Sequence, residues 1–117
     1  MENVLMSYEH IGKEKENGWD FNKWSVTLEY QGREITVEFS TGMVIPEPTV
    51  DDVLYSLLID SIAEEFGSFE DWAVSVGYDT DSRKAEKIYN ACLKNAELLN
   101  NLLGDDIEYF REKYENY

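Results

Sequence analysis

The chain has 117 residues, 43% hydrophobic and 14% aromatic, with 25 Asp or Glu against 10 Lys or Arg and a net charge of −15. Chains of this length bury about two-thirds of their unfolded surface, and disordered acidic chains lack aromatics, so one folded domain is expected over residues 1–117. The charge excludes direct binding of DNA, RNA or an anionic membrane at physiological salt, and it turns attention to basic partners.

Residues 1–10 have no basic segment followed by a long apolar run, so no secretory signal is expected. Apolar runs are far short of the roughly 20 residues a membrane helix needs. With Cys92 alone there is no intrachain disulfide, and a reducing, cytoplasmic home in a host cell is expected. The chain is expected to be a monomer or small homo-oligomer.

Residues 5–11 offer a third antiparallel strand, joined by a polar loop over residues 12–18 to a hairpin over residues 24–39. In that hairpin Trp24, Val26, Leu28 and Tyr30 alternate with Ser25, Thr27 and Glu29. Ile35, Val37 and Phe39 alternate likewise with Glu34, Thr36 and Glu38, and Gln31-Gly32 makes the turn. Ser40-Thr41-Gly42 ends the second strand, and Pro46-Glu-Pro48 reads as an extended crossing.

Helices follow. Thr49 is an N-cap with Asp52 three residues on and Asp51 at the positive end of the dipole. Val53, Leu54, Leu57, Leu58, Ser61 or Ile62, and Phe66 keep helical spacing up to Gly67. Ser68 caps a short helix with Asp71 at its third position and Trp72 and Val76 inward, stopped by Gly77. Residues 78–82 turn into the longest helix, which runs to Leu103. Its inward stripe is Ala85, Ile88, Tyr89, Cys92, Ala96, Leu99 and Leu103. Asp105 is expected to cap a last short helix holding Ile107, Phe110 and Tyr114. The fold class is therefore α+β: a small antiparallel sheet packed with three to four α-helices.

Between Arg33 and Arg83 stand Glu34, Glu38, Glu47, Asp51, Asp52, Asp60, Glu64, Glu65, Glu70, Asp71, Asp79 and Asp81, with no Lys, Arg or His. Such a block cannot neutralise itself locally and must face water, a cation or a basic partner. Solubility explains part of it, but 49 residues without a cation exceed what solubility asks. The expected partner-binding residues are Glu47, Asp51, Asp52, Asp60, Glu64, Glu65, Glu70, Asp71, Asp79 and Asp81. Exposed aromatics are expected to serve as anchors, and Trp19, Tyr114 and Tyr117 are the ones with little structural reason to be there.

Other chemistries fit poorly. Asp79-Thr-Asp81 opens like a calcium loop, but Lys84 stands where Gly is needed and Asn90 where the bidentate Glu belongs. The two aspartates are read instead as caps of the long helix. His10 and Cys92 are too few ligands for structural zinc, and Cys92 falls on an apolar stripe, where it reads as a core residue. No Gly-rich phosphate loop or nucleophile elbow is present. No cofactor, metal or catalytic residue is expected, and the protein reads as no enzyme.

Pro48-Thr-Val-Asp-Asp-Val-Leu54, Asp60, Ser68-Phe-Glu-Asp-Trp-Ala73, Gly77-Tyr-Asp-Thr-Asp-Ser-Arg-Lys-Ala-Glu86 and Tyr89-Asn-Ala-Cys92 together resemble a group of small acidic proteins encoded in phages, prophages and mobile elements. That resemblance covers about half the chain. It implies an anti-defence role, of the anti-CRISPR or anti-restriction kind, in which some members mimic DNA. The expected function is a non-enzymatic inhibitor of a basic, nucleic-acid-handling host protein such as a CRISPR–Cas effector. The alternative is a phage accessory or assembly protein whose acidity only maintains solubility.

Overall fold

Two dipeptides, Asn17-Gly18 and Gln31-Gly32, set the topology of the sheet. All four residues have positive φ (51° and 82°, 51° and 78°), which two-residue type I′ turns require and which matches the twist of the flanking strands. They join β1 (Leu5–Glu16), β2 (Trp19–Tyr30) and β3 (Arg33–Gly42) into an antiparallel sheet of order β1-β2-β3. The computed structural model describes residues 3–42 and 47–117. They form two compact units, one ending at Leu54 and the other starting at Tyr55.

The third strand is real and longer than expected. Residues 13–16, expected in a loop, continue β1, and the connection shrinks to Asn17-Gly18. Their alternating charges find cross-strand partners: Lys15 lies 4.0 Å from Asp20, and Glu14 lies 3.8 Å from Lys23. A bulge between His10 and Gly12 shifts the register and separates this polar end from the apolar one.

One sheet face carries the core. Met6, Tyr8 and His10 of β1 stand opposite Leu28, Val26 and Trp24, which in turn oppose Ile35, Val37 and Phe39. Val26, Leu28 and Tyr30 are fully buried. The buried Trp24 indole N–H donates to Thr41 Oγ1 at 2.9 Å, so its polar atom is satisfied. On the wet face the Thr27 and Thr36 hydroxyls share a hydrogen bond of 3.0 Å.

The extended crossing expected at Pro46 lies outside the described residues. From Val50 to Ser61 the chain forms α1, and the Asp52 N–H donates to Thr49 Oγ1 at 3.1 Å as the expected cap. The helix does not run on to Phe66; a 3₁₀ turn over Ile62–Glu65 replaces its last part. Ser61 is fully buried, and its hydroxyl donates to Leu58 O at 2.6 Å, a back-bond to the preceding turn that competes with regular helix. Ile62 turns outward.

Ser68 caps α2 (Phe69–Val76) through the Asp71 N–H at 3.2 Å. Left-handed Gly77 ends it and lets the Tyr78 N–H reach Ala73 O at 2.8 Å. Trp72 is buried, but Val76, expected inward, is exposed. Ser82, not Asp79 or Asp81, caps α3 (Arg83–Leu103), accepting from the Ala85 N–H at 3.1 Å. Asp79 Oδ1 instead accepts from the Asp81 N–H at 2.9 Å, an Asx turn that spends the side chain on the loop. A 3₁₀ turn over Gly104–Asp106 then takes up Asp105 before α4 (Ile107–Lys113), so Asp105 is not its cap. Ala96, Leu99, Leu102 and Leu103 are fully buried, and Phe110 and Tyr114 are nearly so. The chain is an α+β fold, a three-stranded antiparallel sheet followed by helices of which the last has only seven residues.

Candidate partner-binding surface

Of the twelve carboxylates between Arg33 and Arg83, all but Asp52 and Asp60 are exposed. Glu34 and Glu38 alternate on the wet face of β3 because their neighbours Ile35 and Val37 claim the buried one. Glu34 stands directly opposite Glu29, an arrangement of like charges that costs the sheet stability. Glu47 accepts from the Tyr8 hydroxyl at 2.8 Å, and this hydrogen bond raises the Tyr8 pKa. Asp51 is exposed in the first turn of α1, with Asp52 beside it.

In the helical unit several acids are hung along α3. Asp79 and Asp81 lie in the turn before it, Asp60 accepts from Asn95 Nδ2 at 2.9 Å, and Glu64 accepts from Asn100 Nδ2 at 2.7 Å. At 1.5 Å rise per residue these stations spread over roughly 25–30 Å of helix. Glu70 and Asp71 lie exposed in the first turn of α2, where the helix dipole favours them.

Lys23 and Arg111, both outside the block, reach into it. Lys23 lies 3.4 Å from Glu38, and Arg111 Nη1 lies 3.7 Å from Glu65. Arg111 is stretched over three partners, with Nε 3.6 Å from Glu108 and Nη2 donating to Ser61 Oγ at 3.3 Å. Glu34, Asp60, Glu64, Glu70, Asp71, Asp79 and Asp81 have no ion pair among the described residues. Periodicity could place Glu38 on a wet face, but the ion pairs made by Lys23 and Arg111 needed strand register and tertiary packing.

Cys92 packs against the core cluster of Ala63, Trp72, Ala73 and Ala85, as expected, but is not fully enclosed by it. It is half-buried, and its thiol donates to Asp60. Burial, then the Asp60 charge, push the thiol up to about 11, which leaves it protonated and unreactive near neutrality. Burial also raises the Asp60 pKa, against the lowering effect of its two hydrogen bonds. Among the aromatics named from sequence, Trp19 and Tyr117 are exposed while Tyr114 is buried.

Among the described residues no three His, Cys, Asp or Glu side chains are grouped as a metal ion requires, and no helix is long and apolar enough to cross a membrane. Comparison with protein-family models, curated proteins and solved structures finds no match to this chain.

Proposed function

We propose that this chain is a non-enzymatic, phage-type inhibitor that binds a basic, nucleic-acid-handling host defence protein, a CRISPR–Cas effector being the specific case. The observation that carries the reading is the series of exposed carboxylates without ion pairs among the described residues, Glu34, Glu64, Glu70, Asp71, Asp79 and Asp81. Glu64 and Asp79 accept one neutral hydrogen bond each, from Asn100 and the Asp81 N–H, which leaves their charge uncompensated, and a cationic groove built for phosphates would gain from meeting the series. Their charge would steer the encounter, and a few desolvated contacts would set the dissociation rate.

The second reading is a phage accessory or assembly protein whose acidity only maintains solubility. It is favoured by the spread of the acids over strand, turn and helix alike. One experiment separates the two. The protein is used to capture partners from host lysate at low and moderate salt, and the captured protein is then challenged with DNA or RNA. Mimicry predicts salt-sensitive capture and competition with nucleic acid for one site. Charge reversal at Glu64, Glu70, Asp71 and Asp81 should then slow association more than reversal at Glu112 and Glu115. Simultaneous, independent binding of nucleic acid and this protein would leave only the second reading.

A further inference from the structure

The helical unit holds a cleft of about 390 Å³ between α1, the 3₁₀ turn after it, α2 and α3. Its walls include Ile59, Ile62, Phe66, Trp72 and Tyr78, and among the described residues the only charged one lining it is Asp60. The rim is unusually apolar for so acidic a chain: Ile59 is 48% exposed, Ile62 40%, Val76 50% and Tyr78 42%. Tyr78 stacks on the buried Trp72 with ring centroids 5.6 Å apart, so its position is fixed by the core beneath.

Asp60 is out of place in such a cleft unless something cationic joins it. It is half-buried, accepts from Asn95 at 2.9 Å and from the Cys92 thiol, and has no ion pair among the described residues. A carboxylate has about four acceptor sites, so two donors leave room for more. A partly desolvated carboxylate without a counter-ion is unfavourable for the folded chain.

We propose that this cleft receives an arginine side chain from a basic protein partner, its stem against Ile59 and Ile62 and its guanidinium on Asp60 beside Tyr78. The inference rests on the reading of the partner as a basic protein. Arginine fits better than lysine because its planar, weakly hydrated cation both stacks on aromatic rings and donates to a carboxylate. A second copy of this chain fits poorly. It would bring Asp60, Glu64 and Glu65 towards a surface of the same sign, at a net charge of −15 on each chain.

The test uses the full chain and three probes: N-acetyl-arginine amide, N-acetyl-lysine amide and the neutral N-acetyl-norleucine amide. Binding is read from the Trp72 indole and Asn95 side-chain amide signals in NMR titrations. The arginine probe should shift both signals saturably, the lysine probe more weakly, and the norleucine probe about tenfold more weakly, the size of one charge-assisted hydrogen bond. Asp60→Asn should lose about the same factor for arginine without a lower melting temperature. Ile62→Ala, on the rim, should weaken binding while leaving the fold intact. Equal binding of norleucine, or full binding by Asp60→Asn, would overturn the proposal. So would arginine-induced shifts confined to the acids outside the cleft, or a dimer in sedimentation that covers it. A cleft that refuses arginine while salt-sensitive lysate capture persists refutes this inference alone. A cleft that takes arginine while nothing is captured refutes the inhibitor reading instead.

Discussion

Glu29 and Glu34 are partners across β2 and β3, both exposed, on the face that also carries the Thr27–Thr36 hydrogen bond. Carboxylates in directly opposed positions lie roughly 7 Å apart, where two charges in water repel by about 0.6 kcal/mol before screening. Glu34→Lys replaces that repulsion with an attraction of similar size, so the gain is about 1 kcal/mol at low salt. For a chain of this size the melting temperature should rise by roughly 2–5 °C. In 0.5 M salt, where the Debye length is only about 4 Å, most of the gain should vanish. Glu38→Lys, on the same face of the same strand, is the control. It breaks the 3.4 Å contact with Lys23 and should lower the melting temperature slightly. Thermal unfolding followed by circular dichroism at both salts reads all of this. A Glu34→Lys variant that is destabilised, or equally stabilised at both salts, would show that the opposed carboxylates do not act on one another.

The buried Trp24–Thr41 hydrogen bond is open to a double-mutant cycle by urea denaturation. Trp24→Phe and Thr41→Val should each cost about 1–3 kcal/mol, and the double variant should cost clearly less than their sum, because no buried polar atom is then left alone. Alkylation of Cys92 by iodoacetamide should be slow at pH 8 and accelerate as the pH approaches the thiol pKa of about 11. Asp60→Asn should speed it at fixed pH, since the Asp60 charge helps hold that pKa up; an unchanged rate would mean the two groups do not interact. Because burial raises the Asp60 pKa from 3.8, its stabilising contribution is complete below that value and is lost as pH rises through the folded value. Asp60→Asn should therefore remove a falling segment of the stability curve just above pH 3.8, measurable by denaturation across that range.

The legible parts of the fold were those where local chemistry decides. Gln31-Gly32, the alternation about Val26 and Val37, and the Thr49 and Ser68 caps all act within a few residues, and each is found where the spacing predicts it. The misreadings share a different cause. Residues 13–16 are polar on both faces, so no alternation announces them as strand; only Lys23 and Asp20 across the ladder make their charges useful. Ile62 and Val76 fit an apolar stripe by count, yet each sits where its helix ends or tightens, so the stripe rotates away from the core. Tyr114 reads as terminal and expendable in the sequence, but as the C-cap of α4 it is buried. Asp60 shows the same limit at the candidate site: its sequence neighbours say it is one acid among many, and only the packing of α3 against the 3₁₀ turn reveals an apolar cleft around it.

Asp60 and the Glu29–Glu34 pair also bear on the choice between the two functional readings. Solubility needs net charge, and any exposed carboxylate supplies it. It has no need of two glutamates facing each other, nor of a carboxylate set among Ile59, Ile62 and Trp72. Both features work against the folded state, and both are removable by a single substitution that keeps the size of the side chain nearly constant. Sequences are otherwise locally consistent here, with caps, turns and strand alternation agreeing with the fold, and conflicts in such a background point to surfaces shaped by something other than stability. A basic partner would relieve both conflicts on binding. If Glu34→Lys and Asp60→Asn each leave the protein as stable or more stable yet weaken its capture of the same host protein, the acids are there for the partner. If both variants capture that protein as well as the original chain, the acidity serves solubility alone.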